Sequence, residues 1–319
     1  MASAAERTPV GREARHSRVV ADILRTQIAT LGTKKPQTCD VRLVEHDDVH
    51  LHVLANPREH ASEVTLSLAA PSGTPGLPDG AQKHVLAELA ALGDAVRVAD
   101  APERGFHLTL HVDLARLPAE PAAQADAVRA LASLRAAALG APVRDALRAL
   151  AEGGSTAAPA TPVLYRANEA YFVCPTNDGV TFVFPLRCKD ASDATIACTF
   201  FGDFGKAKAV RGAPPCRWDR EPPLELKGCR PELAHGANGG YVSFTLERRH
   251  VEGGRLENAV WSTISFPAYA SRHIKCSKAF FHSRMRKRTD SLLQTLRQAK
   301  PERKVEKKTA SGRTFRREV

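Results

Sequence analysis

The chain has no close cysteine pair. Its seven cysteines, at 39, 174, 188, 198, 216, 229 and 276, are odd in number and none forms C-x-x-C. That argues against a disulfide framework and fits free thiols in a reducing compartment. No window approaches the ~18 consecutive apolar residues of a membrane-spanning helix. The start lacks an apolar run of signal-peptide length, and Glu6 and Glu13 argue against an acid-poor transit peptide. The expectation is a soluble cytoplasmic protein.

Catalytic motifs are missing too. There is no G-x-S-x-G, no H-E-x-x-H and no Cys/His set with zinc spacing. Gly202-Asp203-Phe204-Gly205-Lys206 has too few residues between its glycines for a phosphate loop, and Ala207 follows the lysine where Ser or Thr is needed. It reads as a turn. His50, His52, His107 and His111 fall on expected strands, each pair on one face by alternation. With no Cys or carboxylate beside them in sequence, they read as solvent-facing positions rather than metal ligands. No catalytic, metal-ligating or cofactor-binding residue can be named, and the chain is not expected to be an enzyme.

What is present is ordinary globular composition, 43% hydrophobic and 25% charged, over 319 residues. That is room for two domains with real cores. The net charge of +11 is distributed unevenly. Residues 272–319 hold 16 Lys+Arg against 4 Asp+Glu, a net of +12, while the preceding residues hold 30 against 31. The basic excess is therefore terminal, and points to a polyanion or an acidic protein surface as partner.

Val19, Val20, Ile23, Leu24, Ile28 and Leu31 recur at helical spacing and end at Gly32. VRLVE and VHLHVL read as a hairpin, EVTLSLA as a third strand, AQKHVLAELAAL as a helix, and DAVRVAD and FHLTLHVDL as strands. Residues 120–151 are Ala-rich helix broken around Gly140 and Pro142. EGGSTAAPATP, 152–162, is a linker by composition. Beyond it PVLYR, AYFVC, VTFVFPL and ATIACTFF read as strands, with a turn at Thr176-Asn177-Asp178-Gly179. A Pro-rich irregular stretch covers 202–239, YVSFTLERR is the last strand, and the chain is helical from about Leu256 to about Ala299. The expected divisions are an extension 1–17, domains 18–151 and 163–255, a helix 256–300 and a basic tail 301–319. VHLHVLANPREHASEVTLSL and AYFVCPTNDGVTFVFPL share a strand–turn–strand pattern, as a duplicated α+β unit would.

The last helix raises the functional question. HIKCSKAFFHSRMRKRTD combines a dense basic cluster with adjacent phenylalanines. At about 100° per residue, Phe281, Met285, Leu292, Leu296 and Ala299 fall within about 40° of the line through Ile274. Basic residues surround this stripe on several sides. A DNA-reading helix would gather them on one face, and a membrane-lying helix would need a broader apolar face. The stripe fits burial against protein, and the charges fit an acidic surface. A stand-alone nucleic-acid-binding protein with a basic terminal helix is the alternative reading.

HIKCSKAFFHSRMRKRTDSLLQTLRQAKP with KTASGRTF, and DREPPLEL at 219–226, resemble the signature segments of the family of subunit 2 of the actin-related protein 2/3 complex. GFHLTLHVDLARLPAE and Asn56-Pro57 resemble its earlier elements. The resemblance spans about residues 18–319. It implies an α+β fold of two similar domains, each a sheet flanked by helices, plus a long C-terminal helix. It implies a non-catalytic subunit that pairs with subunit 4, holds actin-related proteins 2 and 3, and lies against actin filaments in the cytoplasmic cytoskeleton, in actin-rich projections or patches. The subunit interface would take Ile274, Phe281, Met285, Leu292, Leu296 and Ala299. By charge and position, the filament would take Arg284, Arg286, Lys287, Arg288, Arg297, Lys300, Lys307, Lys308 and Arg313. Three features depart from the family pattern. The first seventeen residues form an extension expected to be disordered. Pro267 is expected to kink the long helix or start it, and 120–151 is unusually rich in Ala and Arg.

Overall fold

A computed structural model describes residues 15–33, 36–45, 48–154, 156–206, 213–298, 306–308 and 314–316. Two five-stranded antiparallel sheets dominate it. The first contains β1 (Cys39–Glu45), β2 (Val49–Ala55), β3 (Glu63–Ala69), β4 (Val96–Val98) and β5 (Leu108–Asp113), in spatial order β1-β2-β3-β5-β4. The second contains β6 (Thr161–Arg166), β7 (Glu169–Pro175), β8 (Val180–Pro185), β9 (Cys216–Asp219) and β10 (Tyr241–Leu246), in order β6-β7-β8-β10-β9. The two orders are the same, as the repeated strand–turn–strand pattern anticipates.

The first sheet is buried mainly on one side, as its alternation requires. Leu51 and Val53, Leu66 and Leu68, and Leu108 and Leu110 face α1 (Arg18–Thr30), α2 (Ala81–Leu89) and α3 (Pro121–Ala132). From these helices Val20, Leu24, Val85, Leu89, Val128 and Leu131 complete the core. Ser17 caps α1, its Oγ accepting from Val20 N at 3.4 Å.

The second sheet is buried on both faces, which explains the near-continuous apolar runs of β7 and β8. One face packs Tyr171, Val173, Phe182 and Phe184 against α5 (Ala141–Ala151) and the first turns of α9 (Leu256–Gln298). The other packs Phe172, Val183 and Tyr241 against Leu226, Leu233 and Ala234. Phe266 of α9 lies 4.5 Å from the Phe184 ring and 5.5 Å from that of Phe244.

Several expectations are corrected. ATIACTFF is part of a helix, α6 (Ala191–Lys206), with GDFGK in its last turns rather than in a turn. Ala194, Ala197 and Phe201 are buried at helical spacing, and that burial outweighs the β propensity of Thr, Ile and Phe. The stretch 202–239 contributes strand β9 and a short helix, α7 (Pro231–Ala234). YVSFTLERR stops as a strand at Leu246, and α8 (Arg248–Val251) follows. Pro267 neither starts nor ends α9, which runs through it. Burial of Ile264 and Ala270 and the ring contacts of Phe266 hold the helix on both sides of the missing N–H.

α4 (Leu134–Leu139), α5 and α9 meet at a polar joint that also takes in α2. Arg144, 2% exposed, donates from Nε and Nη2 to the Glu257 carboxylate, each at 2.9 Å, and from Nη1 to Ala137 O at 3.1 Å. Glu88 stands 3.7 Å from the same guanidinium, and His84 Nε2 lies 2.8 Å from Asp145 Oδ1. Gly140 fits here because it has no side chain. A Cβ would stand 2.5 Å from Ala136 O and 2.7 Å from Val260 Cγ1.

Candidate functional site on the long helix

The first turns of α9 are core. Val260, Thr263, Ile264, Ser265 and Ala270 are buried, as is Ile274 at 6% exposure. From Ala279 to Gln298 every residue is exposed. The expected stripe therefore divides. Ile274 is covered within the chain, while Phe281, Met285, Leu292 and Leu296 are 55%, 65%, 63% and 59% exposed. Phe280 and Leu293, off the stripe, are also exposed. Water-exposed side chains of this size each forgo about 1.5–3 kcal/mol of burial.

The segment is helical because Ala, Leu, Lys, Arg and Gln dominate it and Gly is absent between Leu256 and Gln298. Ser283, Thr289 and Thr295 return their hydroxyls to the carbonyl four residues earlier. Arg284 lies over the Phe280 ring at 5.4 Å, one turn away. Arg286, Lys287, Arg288 and Arg297 are exposed on the same segment. Lys307 and Lys308 lie on strand β11 (Glu306–Lys308), paired with β12 (Thr314–Arg316). Ala299, Lys300 and Arg313 fall outside the described residues.

The histidines singled out by alternation have structural partners. His52 is not solvent-facing. It is 4% exposed, with Nδ1 2.7 Å from Glu103 Oε2 and Nε2 3.0 Å from Asp40 Oδ1. Ser67 donates to the same Glu103 oxygen at 2.8 Å. Burial alone would raise the Glu103 carboxyl, but the His52 and Ser67 hydrogen bonds and the nearby His52 and Arg42 charges hold it below the ordinary glutamate range. His111 pairs with Glu63 at 2.9 Å, and His107 Nδ1 accepts from Ala70 N at 3.1 Å. Sequence reading missed these acids because cross-strand neighbours and a distant loop supply them. Among the described residues no group of three or more His, Cys, Asp or Glu could hold a metal ion.

An exposed apolar line on a helix that is core at one end leaves a face without cover among the described residues. Comparison with known proteins gives the chain a family. The model of the Arp2/3 complex 34 kD subunit, p34-Arc, matches residues 80–303. The chain belongs to the p34-Arc family. It is 34% identical over 315 residues to actin-related protein 2/3 complex subunit 2A of Arabidopsis thaliana, covering 95% of this chain and 94% of that one. It is 36% identical over 207 residues to subunit 2B of the same plant, 63% of this chain and 55% of the relative. The subunit 2 of Schizosaccharomyces pombe is 30% identical over 234 residues, 67% of this chain and 74% of the relative. The p34-Arc match takes in the whole of α9 and both sheets except β1 to β3.

Proposed function

We propose that this p34-Arc chain is a non-catalytic structural subunit that forms the core of the Arp2/3 complex with subunit 4, on which actin-related proteins 2 and 3 are held. Its seat is the cytoplasmic actin cytoskeleton, where the complex nucleates branched actin. The two sheet-bearing segments, 18–151 and 163–255, act as similar domains, and α9 is the docking element. The observation that carries this reading is the exposed line Phe281, Met285, Leu292 and Leu296. Ala299 continues it by sequence spacing. An apolar helix face of this kind is relieved by a partner helix laid into it.

The basic side chains Arg284, Arg286, Lys287, Arg288 and Arg297 stand outside the line and, with Lys300, Lys307, Lys308 and Arg313, contact the side of the mother filament. Acidic filament surfaces attract such a cluster and steer encounter without specifying fine geometry. Tagged full-length chain recovered from its own cells should bring down a subunit-4 relative and both actin-related proteins by mass spectrometry. Recovery without any actin-related protein would contradict the assignment. Charge reversal at several basic positions together should weaken filament co-sedimentation while leaving that recovery intact.

A further inference from the structure

The exposed segment from Ala279 to Gln298 carries four side-chain hydroxyls, Ser283, Thr289, Ser291 and Thr295. Their settings differ. Arg286, Lys287 and Arg288 immediately precede Thr289, and Arg284 lies five residues before it. Ser283 has Phe280 three residues before it, and Thr295 has Leu292 there. Ser291 has Arg288 at that place, but the carboxylate of Asp290 stands directly before it. Thr289 is exposed, and its Oγ1 donates to Met285 O at 3.0 Å, a bond made within one turn of the same helix. Thr289 is four residues from Met285 and three from Leu292, so on the helix surface it borders both.

We propose that Thr289 is a phosphorylation site for an arginine-directed protein kinase, and that phosphate there opposes docking of the apolar line. Kinases of this class present carboxylates beside the substrate strand, and basic groups one to three residues before the hydroxyl meet them. The Thr289 oxygen attacks the γ-phosphorus of magnesium-bound ATP. The bond from that phosphorus to the β,γ-bridging oxygen breaks, ADP leaves with its electron pair, and the hydroxyl proton passes to the kinase's carboxylate base. The turn holding Thr289 must open for the strand to enter the kinase. With every residue from Ala279 to Gln298 exposed, no buried contact of that stretch resists the opening.

Five basic residues, Arg284, Arg286, Lys287, Arg288 and Arg297, against Asp290 give residues 279–298 a net charge of +4. Phosphate adds about −1.5 to −2 and draws Arg286, one turn back, toward itself. Covering Met285 and Leu292 would then desolvate a dianion at the border of the contact, where the unmodified chain has a neutral hydroxyl. This effect on docking rests on the proposed role of the line as a subunit interface, whereas the modification itself stands on the basic run and the exposed hydroxyl.

Full-length chain is incubated with magnesium-ATP and the catalytic subunit of cyclic-AMP-dependent protein kinase, an arginine-directed enzyme, and the acceptor is located by mass spectrometry. Thr289 should be the main acceptor. Thr289→Ser should keep the modification and Thr289→Ala should remove it. Arg286→Gln should slow it about tenfold, the effect of losing one charge-assisted contact. Total incorporation unchanged in Thr289→Ala, or a main acceptor elsewhere in the chain, would overturn the site. The effect on docking is read in cells from tagged full-length chain, by recovery of the actin-related proteins. Thr289→Glu should lower recovery several-fold, while the neutral Thr289→Gln should leave it within about twofold, as rim changes at an interface do. Phe281→Asp is scored beside them. If it loses recovery and Thr289→Glu does not, the effect of phosphate on docking is overturned while the interface stands. If Phe281→Asp keeps full recovery, the line is not the interface, and the docking effect falls with it.

Discussion

Replacing Arg144 by methionine should destabilise the chain by about 2–4 kcal/mol. Removing one partner of a buried ion pair costs about 3–5 kcal/mol because the other charge is left without compensation. Glu257 is 33% exposed in its side chain, so water recovers part of that loss. The Ala137 carbonyl also loses a donor at 3.1 Å. Methionine keeps most of the apolar stem, so the loss reads the guanidinium rather than a cavity. Equilibrium urea unfolding of the full-length chain, followed by far-ultraviolet circular dichroism, measures it. The double variant R144M/E257Q should be less destabilised than the sum of its singles, since it no longer buries a lone carboxylate. A loss under about 0.5 kcal/mol for R144M, the range of an ordinary surface change, would refute the view that this joint holds α2, α5 and α9 together. Strict additivity of the double variant would refute it as well.

Two other perturbations bear on the same half of the molecule. Gly140→Ala places a methyl against Ala136 O and Val260 Cγ1, and should cost about 1–3 kcal/mol in the same unfolding assay. The acid limb of stability should depend on Glu103 and Glu257. Burial pushes both carboxyls up, but hydrogen bonds and nearby charges outweigh it and hold both below the usual range. Their contributions are therefore present above the unfolded glutamate value of about 4.3 and are lost as pH falls through the lower folded values. E103Q/E257Q should be less stable than the parent at neutral pH and show a flatter fall below about pH 4. An acid limb of unchanged slope would count against this origin.

Strand pairs, the terminal helix and the charge asymmetry were legible in the sequence because each rests on local periodicity or composition. Leu51 and Val53, or Phe182 and Phe184, announce their faces two residues at a time. The errors arose where distant residues decide. ATIACTFF has strand propensity, yet Ala194, Ala197 and Phe201 find a core that only a helix can present to them. Pro267 suggests a kink or a helix start, but α9 begins at Leu256 and runs through it, with Phe266 packed on Phe184. His52 alternates like a solvent-facing residue, while Asp40 and Glu103 close over it from β1 and from a loop. The apolar face of α9 could be read from its spacing, but the exposure of Phe281, Met285, Leu292 and Leu296 could not. Periodicity identifies an apolar face without saying whether the chain itself covers it, and Ile274 differs from Phe281 in that respect alone.

The claim that the exposed line is a subunit interface is tested most directly by paired substitutions in tagged full-length chain, scored by recovery of the actin-related proteins. Phe281→Asp and Leu292→Asp bury a carboxylate with no partner in any docked state. Each should reduce recovery about tenfold or more, since every ~1.4 kcal/mol lost is a factor of ten. Lys287→Glu and Arg297→Glu, on the same exposed helix, should leave recovery within about twofold, as charge changes at an interface rim do. Equal recovery for the apolar and the charge substitutions would mean that the line is not the interface.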